Sequence, residues 1–492
     1  MSQFNRRDFL RAAASSLGLA ASPFALNLAA VGTAAAANGV TDYKALVCIF
    51  LAGGNDCFNT VLPTDTESWE QYAKFRTTNN GAASIALPFN GAAGGVLPIN
   101  PLNNQGRSFA LHPQLGALQN LFENKRMAIV ANVGTLNAPL TLSQYKAGGA
   151  AVPAKLFSHN DQQSMWQAYA PEGARVGWGG RIGDLLASAN ADATFTCIST
   201  AGSAVFLAGR TIKQYQIANS GAVAIRNLNG NLFGAKGASN PLRNIIAGNR
   251  NDVFENDHAA IVNRSINAQA ALSAAMAPAG ASGVPDPTNY INPNTGVASA
   301  NPLAQQLQAV ARVIAGRSGL GACRQIFYVT LSGFDTHDGQ RPQHADLMAR
   351  LAHAVAYFDG VLANLQGVDM RNSVTTFTAS EFGRTFTSNG DGSDHGWGSH
   401  HFVMGGAVRG KDIYGVFPRS GLGHELDVGS GSLLPTIAVD QYAATLASWF
   451  GVSNSQLADV FPNLSRFASS NLGFMNTAGT SPTPTVSKKT SV

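Results

Sequence analysis

The sequence predicts an α/β protein built on a doubly wound, mainly parallel sheet with helices on both faces. Three observations lead there. Short apolar runs alternate with amphipathic helical stretches, the order that puts crossover helices between parallel strands. The runs lack polar alternation, as strands buried on both faces should. Several end abruptly in Gly, Asp, Ser and His, and such sheets bind ligands beyond the carboxyl ends of their strands.

Taken in order, the chain opens with Asn5-Arg6-Arg7-Asp8-Phe9-Leu10-Arg11 and a weakly apolar, Ala/Gly-rich stretch to Ala37. Paired arginines before x-Phe-Leu, with small residues at 34–37, resemble a twin-arginine export signal cleaved near Ala37. The expected partner is the twin-arginine export machinery, and the expected location is periplasmic or secreted. The export domain would be 1–37 and the folded domain 38–475. Buried strands are predicted at 43–52 (YKALVCIFLA), 127–133, 195–199, 326–331, 374–378 and 402–404. Helices are predicted at 114–122, 257–276, 302–314, 345–365 and 441–450. Residues 207–301 read as a cap and loop insertion, with a Pro/Gly/Asn-rich loop over 277–301. Residues 476–492 are a Ser/Thr/Pro tail expected to stay disordered.

Composition narrows the partners. Of 492 residues 45% are apolar and 12% charged, about half the usual ~25%. That excludes a disordered chain, and no internal stretch of ~18 apolar residues predicts a stable membrane span. The net charge of +5 includes +2 from Arg6, Arg7, Asp8 and Arg11, and no basic run or helix face follows. Nucleic acid is therefore not an expected partner. Cys48, Cys57, Cys197 and Cys323 lack close paired spacing; buried thiols are the default, and a Cys57–Cys197 bridge stays open.

The chemistry-bearing residues cluster after the strands. Gly53-Gly54-Asn55-Asp56 follows the first. Gly333-Phe334-Asp335-Thr336-His337 follows 326–331, and Ser380-Glu381-Phe382-Gly383-Arg384 follows 374–378. Ser393-Asp394-His395 precedes 402–404. Carboxylate and imidazole together suit a divalent cation such as zinc or manganese. A fifth segment, Ser158-His159-Asn160-Asp161-Gln162-Gln163, puts a serine at a helix start, where the dipole favours an anion. Each has a plainer reading alone. Asp56 would accept a turn hydrogen bond, Asp335 cap a helix, and Glu381 pair with Arg384. Ser158 would be an N-cap and His395 a hydrogen-bonded loop histidine. Their convergence at strand ends is the signal.

The paired-arginine leader, GGND, SHNDQQ, GFDTHDGQ, SEFGRT and SDHGWG together resemble the domain-of-unknown-function family fifteen-oh-one, a remote relative of the alkaline phosphatase and sulfatase superfamily. The resemblance spans roughly residues 43–474. It implies an alkaline phosphatase-like fold, with Asp56, Asp335, His337, Glu381 and His395 as metal ligands and Ser158 at the nucleophile position. Beside the resemblance, a hydrolase would use His337 or His159 to assist proton transfer to the leaving oxygen, and Asn55 and Arg384 are the expected substrate-binding residues. Two departures imply a one-metal or altered site. Asp335 and His337 are separated by one residue where the superfamily often has three, and Glu381-Phe382 stands where it has Asp-His.

Two functions of different kinds follow. One is an exported metal-dependent hydrolase of phosphate or sulfate esters, acting on an anionic ester that is a small molecule or a polysaccharide. The other is a non-catalytic envelope or surface binding protein on the same fold.

Overall fold

A computed structural model describes residues 42–77, 84–149, 151–225, 228, 241–248 and 250–476. The expected export signal lies outside the described residues, as does the tail beyond 476. In chain order the elements that matter are β1 (Lys44–Ala52), β2 (Val61–Pro63), α1 (Thr66–Arg76), β3 (Leu97–Ile99), β4 (Phe109–Leu111), α2 (Gly116–Glu123) and β5 (Met127–Gly134). Then come α3 (Leu142–Ala147), α4 (His159–Ala168), α5 (Trp178–Leu186), β6 (Cys197–Ser199), β7 (Tyr215–Gln216), α6 (Pro241–Ala247), α7 (Val253–Ala275), β8 (Tyr290–Ile291) and β9 (Ala298–Ser299). The chain continues through α8 (Pro302–Ala315), β10 (Arg324–Ser332), α9 (Gln340–Leu362), β11 (Val374–Ala379), β12 (Ser399–Met404), β13 (Ile413–Tyr414), β14 (Ile437–Ala438) and α10 (Val439–Phe450).

The main sheet has the order β13-β5-β12-β11-β1-β10-β6-β7, with β14 also on β5. It is the doubly wound, mainly parallel sheet that the apolar runs predict. The exception is β12, antiparallel to both β11 and β5. It returns from β11 through a loop rather than a helix, and only a parallel neighbour needs a long crossover.

Strand β1 shows why the runs are apolar on both sides. Ala45, Val47, Ile49 and Leu51 enter one core with α2, α8 and α9. Leu46, Cys48 and Phe50 enter the other with α5 and α10. The two-residue period thus feeds two layers of helices, and each buried large apolar side chain stabilises the fold by about 1.5–3 kcal/mol. Between β7 and β8, α7 lays Ala268 and Leu272 into the first core.

Register then fixes the site. Ala52 pairs with Ser332 and Phe50 with Ala379, all in parallel ladders. The loops after β1, β10 and β11 therefore begin at one edge of the sheet. A small antiparallel sheet, β2-β4-β3, lies to one side. All four cysteines are free. The open Cys57–Cys197 bridge is corrected: Cys197 packs in the second core and Cys57 in a separate cluster with Leu62 and Tyr72.

Candidate metal centre

Two glycines let the loops meet. Gly53 has φ +121°, and a Cβ there would lie 2.3 Å from the Asp335 amide nitrogen. Gly54 has φ +83°, and a Cβ there would lie 2.3 Å from the Phe382 ring. Any side chain at either position would push the loops apart.

The close approach gathers three imidazoles around the Asp335 carboxylate. His159 Nε2 lies 3.3 Å from Oδ2. His337 Nε2 and His395 Nε2 lie 3.1 and 3.2 Å from Oδ1, and 3.0 Å from each other. Ligand atoms of His159, Asp335 and His395 all fall within 4.8 Å of one another, and His337 adjoins them on the Oδ1 side.

Each imidazole is held from behind. His159 Nδ1 meets Glu381 Oε1 at 2.9 Å, His337 Nδ1 meets Asp394 Oδ1 at 3.3 Å, and His395 Nδ1 meets the Phe157 carbonyl at 2.7 Å. A carbonyl oxygen only accepts, so His395 carries its proton on Nδ1 and turns the Nε2 lone pair inward. His159 and His337 each lie between two carboxylates, Glu381 and Asp335 for the first and Asp394 and Asp335 for the second, so both nitrogens of either ring face an acceptor. Such backing partners orient metal-binding imidazoles. Phe157, whose carbonyl makes the contact with His395, adopts a left-handed φ of +70°.

The electrostatics follow from these contacts. The Glu381 hydrogen bond, opposed by burial and helped by the Glu381 and Asp335 charges, raises the His159 pKa. Burial, reinforced by the charges of Arg384 and His159, holds His395 below the ordinary imidazole value. Burial pushes Asp335 upward, but Arg384, His159 and His395 outweigh it and keep the carboxyl low. Arg384 Nη1 donates to Asp335 Oδ1 at 2.7 Å.

The donor set fits a divalent cation. The His159 Nε2 atom is buried without a hydrogen-bond partner. The inward lone pair of neutral His395 also faces a carboxylate oxygen, two acceptors with no proton between them. Three imidazole nitrogens and one carboxylate are ligands that zinc and manganese accept.

Other residues expected at the site fall elsewhere. Asp56 is fully buried; its carboxylate pairs with Arg76 and accepts from Gln340 Nε2 at 2.5 Å and from Phe58 N at 3.1 Å. It thus makes the strand-end turn bond, and a guanidinium supplies its countercharge. Glu381 lies behind His159 rather than beside Asp335: Oε1 also accepts from Gly53 N at 2.9 Å and Gln163 Nε2 at 3.0 Å. It does not pair with Arg384, whose buried guanidinium instead reaches Asp335 and the carbonyls of Gly53 and Ser393. Asn55 is 1% exposed, its amide bonded to Thr60 and His344. Neither Asn55 nor Arg384 lies open to a ligand.

Ser158 occupies the N-cap of α4, but its side chain caps no amide. Its Oγ donates to Asp161 Oδ2 at 2.8 Å. Sequence reasoning assigned no part to Gln163 or Arg76, and read Asp394 only as the neighbour of His395 in an Asp-His pair. Asp394 adjoins His395, and Gln163 follows His159 by one helical turn, a spacing that puts both on one face. Arg76 gave no local signal.

No curated protein matches the chain. Among solved structures, Ps i-CgsB is similar at TM-score 0.33 and 9% identity, over 86% of this chain and 77% of that one. Its complex with k-i-k-neocarrahexaose gives 0.32 and 7%, over 87% and 77%. A structure from work on glycosaminoglycan metabolism by Bacteroides thetaiotaomicron gives 0.33 and 8%, over 84% and 74%. The profile of the family described as a protein of unknown function (DUF1501) matches residues 43–440, a span that takes in β1 and every residue of the cluster, and the chain belongs to that family.

Proposed function

We propose that the protein is a metal-dependent hydrolase of phosphate or sulfate esters, exported by the twin-arginine route to the periplasm or beyond. The observation that carries the metal reading is the fixed tautomer of His395: its Nδ1 proton goes to the Phe157 carbonyl, so its Nε2 lone pair confronts Asp335 Oδ1 at 3.2 Å. With the ring neutral that contact sets two lone pairs against each other, and a metal cation between them would relieve it. Asp335, His395 and His159 would hold it, with His337 adjoining. When bound, a divalent ion supplies polarisation of the ester oxygens and offsets the negative charge that grows in the transition state.

The chain's own groups supply the rest. Ser158 is the nucleophile of this reading, at the start of a ten-residue helix whose dipole favours a developing oxyanion. Its proton is directed to Asp161 Oδ2, and that hydrogen bond foremost keeps the Asp161 pKa low. Glu381 and Phe157 keep His159 and His395 oriented, and Arg384 keeps Asp335 ionised. Among the described residues no helix is long and apolar enough to cross a membrane.

The test is turnover of aryl sulfates and aryl phosphates by protein supplied with zinc or manganese. Asp335→Ala and His395→Ala are expected to abolish it, and Ser158→Ala to reduce it at least ~100-fold. Undiminished turnover in Asp335→Ala and His395→Ala would overturn the site. Full activity in Ser158→Ala alone would leave the centre standing and remove the serine from it. Stoichiometric metal with no turnover of either ester class would favour the binding-protein alternative.

A further inference from the structure

We propose that the open polar trough beside α4 is the subsite for an uncharged, hydroxyl-bearing part of the substrate, a sugar ring or comparable polyol. The inference deepens the hydrolase reading and rests on it for the position of the reacting ester, at the histidine cluster.

Position is the first argument. The trough, of about 300 Å³, is lined by Asn160, Gln163, Gln167, Glu172, Ser203 and Tyr328, among others. The first three lie at i, i+3 and i+7 on α4, so they share one helical face. That helix begins with His159. Gln163 belongs to both places: it lines the trough, and its Nε2 donates to the Glu381 oxygen that holds His159. Gln163 and the Glu381 carboxylate it holds therefore lie between the trough and the imidazole of His159, on its Nδ1 side.

Chemistry is the second. The trough is lined by no lysine, arginine or histidine, and its one formal charge is the carboxylate of Glu172. Sulfate and phosphate recognition uses guanidinium, ammonium or helix N-termini, and an anionic flank would meet Glu172 instead. Side-chain amides, hydroxyls and a carboxylate match vicinal hydroxyls, each of which both donates and accepts. Ser203 Oγ accepts from Gln214 Nε2 at 2.7 Å and keeps its own proton to donate. Asn160 Nδ2 reaches Glu172 Oε1 only at 3.5 Å, a contact that a ligand hydroxyl would replace at shorter range. The volume sits at the lower end of the ~300–1,000 Å³ of small-molecule sites, which suits a short polyol segment. The substrate this describes carries its charge at the scissile ester and not on the neighbouring unit.

The experiment is calorimetric titration of the folded protein with neutral oligosaccharides and, in parallel, their sulfated counterparts. Neutral oligosaccharides are expected to bind, and Glu172→Gln combined with Ser203→Ala to weaken them roughly tenfold or more, with metal content unchanged. Absence of neutral binding, tighter binding of the sulfated set, or indifference to the double variant would each overturn the proposal. Asp335→Ala separates the two readings. Saccharide binding that survives there, with no ester turned over by the metal-loaded wild type, would refute the hydrolase alone. Metal and turnover without saccharide binding would refute the trough alone.

Discussion

Replacing Glu381 by alanine removes one oxygen that accepts three hydrogen bonds, from Gly53 N, His159 Nδ1 and Gln163 Nε2. Without it His159 is free to rotate its Nε2 away from Asp335. Loss of such a backing partner typically lowers metal affinity 10- to 100-fold, or about 1.4–2.7 kcal/mol. The stranded buried donors each cost a further ~1–3 kcal/mol of stability. Glu381→Gln discriminates. An amide keeps an oxygen at the Oε1 position and brings its NH2 to that of Oε2, which accepts no hydrogen bond, so its loss should be the smaller. Competition with a chromophoric zinc chelator reads affinity, and a urea transition reads stability. Equal and complete loss of metal in both variants would make Glu381 a ligand. Wild-type affinity in the alanine variant would refute the orienting role.

Three further perturbations test other parts of the account. Removing one partner of the buried Asp56–Arg76 pair, as in Arg76→Ala, should cost about 3–5 kcal/mol in urea unfolding. Folded Asp56→Asn should keep its metal, and loss of metal there would return Asp56 to the ligand set. Burial pushes Asp440 up to about 7, above its unfolded value near 3.8, so the folded state holds its proton longer. Stability should therefore fall by about 4 kcal/mol as pH rises from about 4 through 7. Asp440→Asn should remove that slope and be the more stable protein at pH ~8, and an unchanged slope in denaturation across pH would refute it. Gly53→Ala drives a Cβ to 2.3 Å from Asp335 N and should cost about 2 kcal/mol or more, with weaker zinc binding by the same competition assay.

The strands were legible because runs such as 43–52 and 326–331 are apolar on both sides, a pattern that only two-faced burial requires. Asp335, His337 and His395 were legible for the same reason, being the ligand-type residues left at the strand ends. What local pattern could not carry was pairing at a distance. Arg76 meets Asp56 only because α1 folds back beside the small sheet, whose three-residue strands are too short for periodicity to mark. Glu381 and His159 lie 222 residues apart, so nothing in the sequence told a ligand from the group that orients one. Arg384 read as a free cation for a substrate, and the fold buries it against Asp335. The reversed strand β12 was hidden too, since an apolar run gives depth but not direction.

The central claim is that one divalent cation belongs between His159, His395 and Asp335. Anomalous diffraction from crystals grown with zinc or manganese tests it most directly. The account predicts a peak bounded by His159 Nε2, His395 Nε2 and the Asp335 carboxylate, with Asp56 still on Arg76. A peak at Asp56, or none at the cluster in saturating metal, would contradict it.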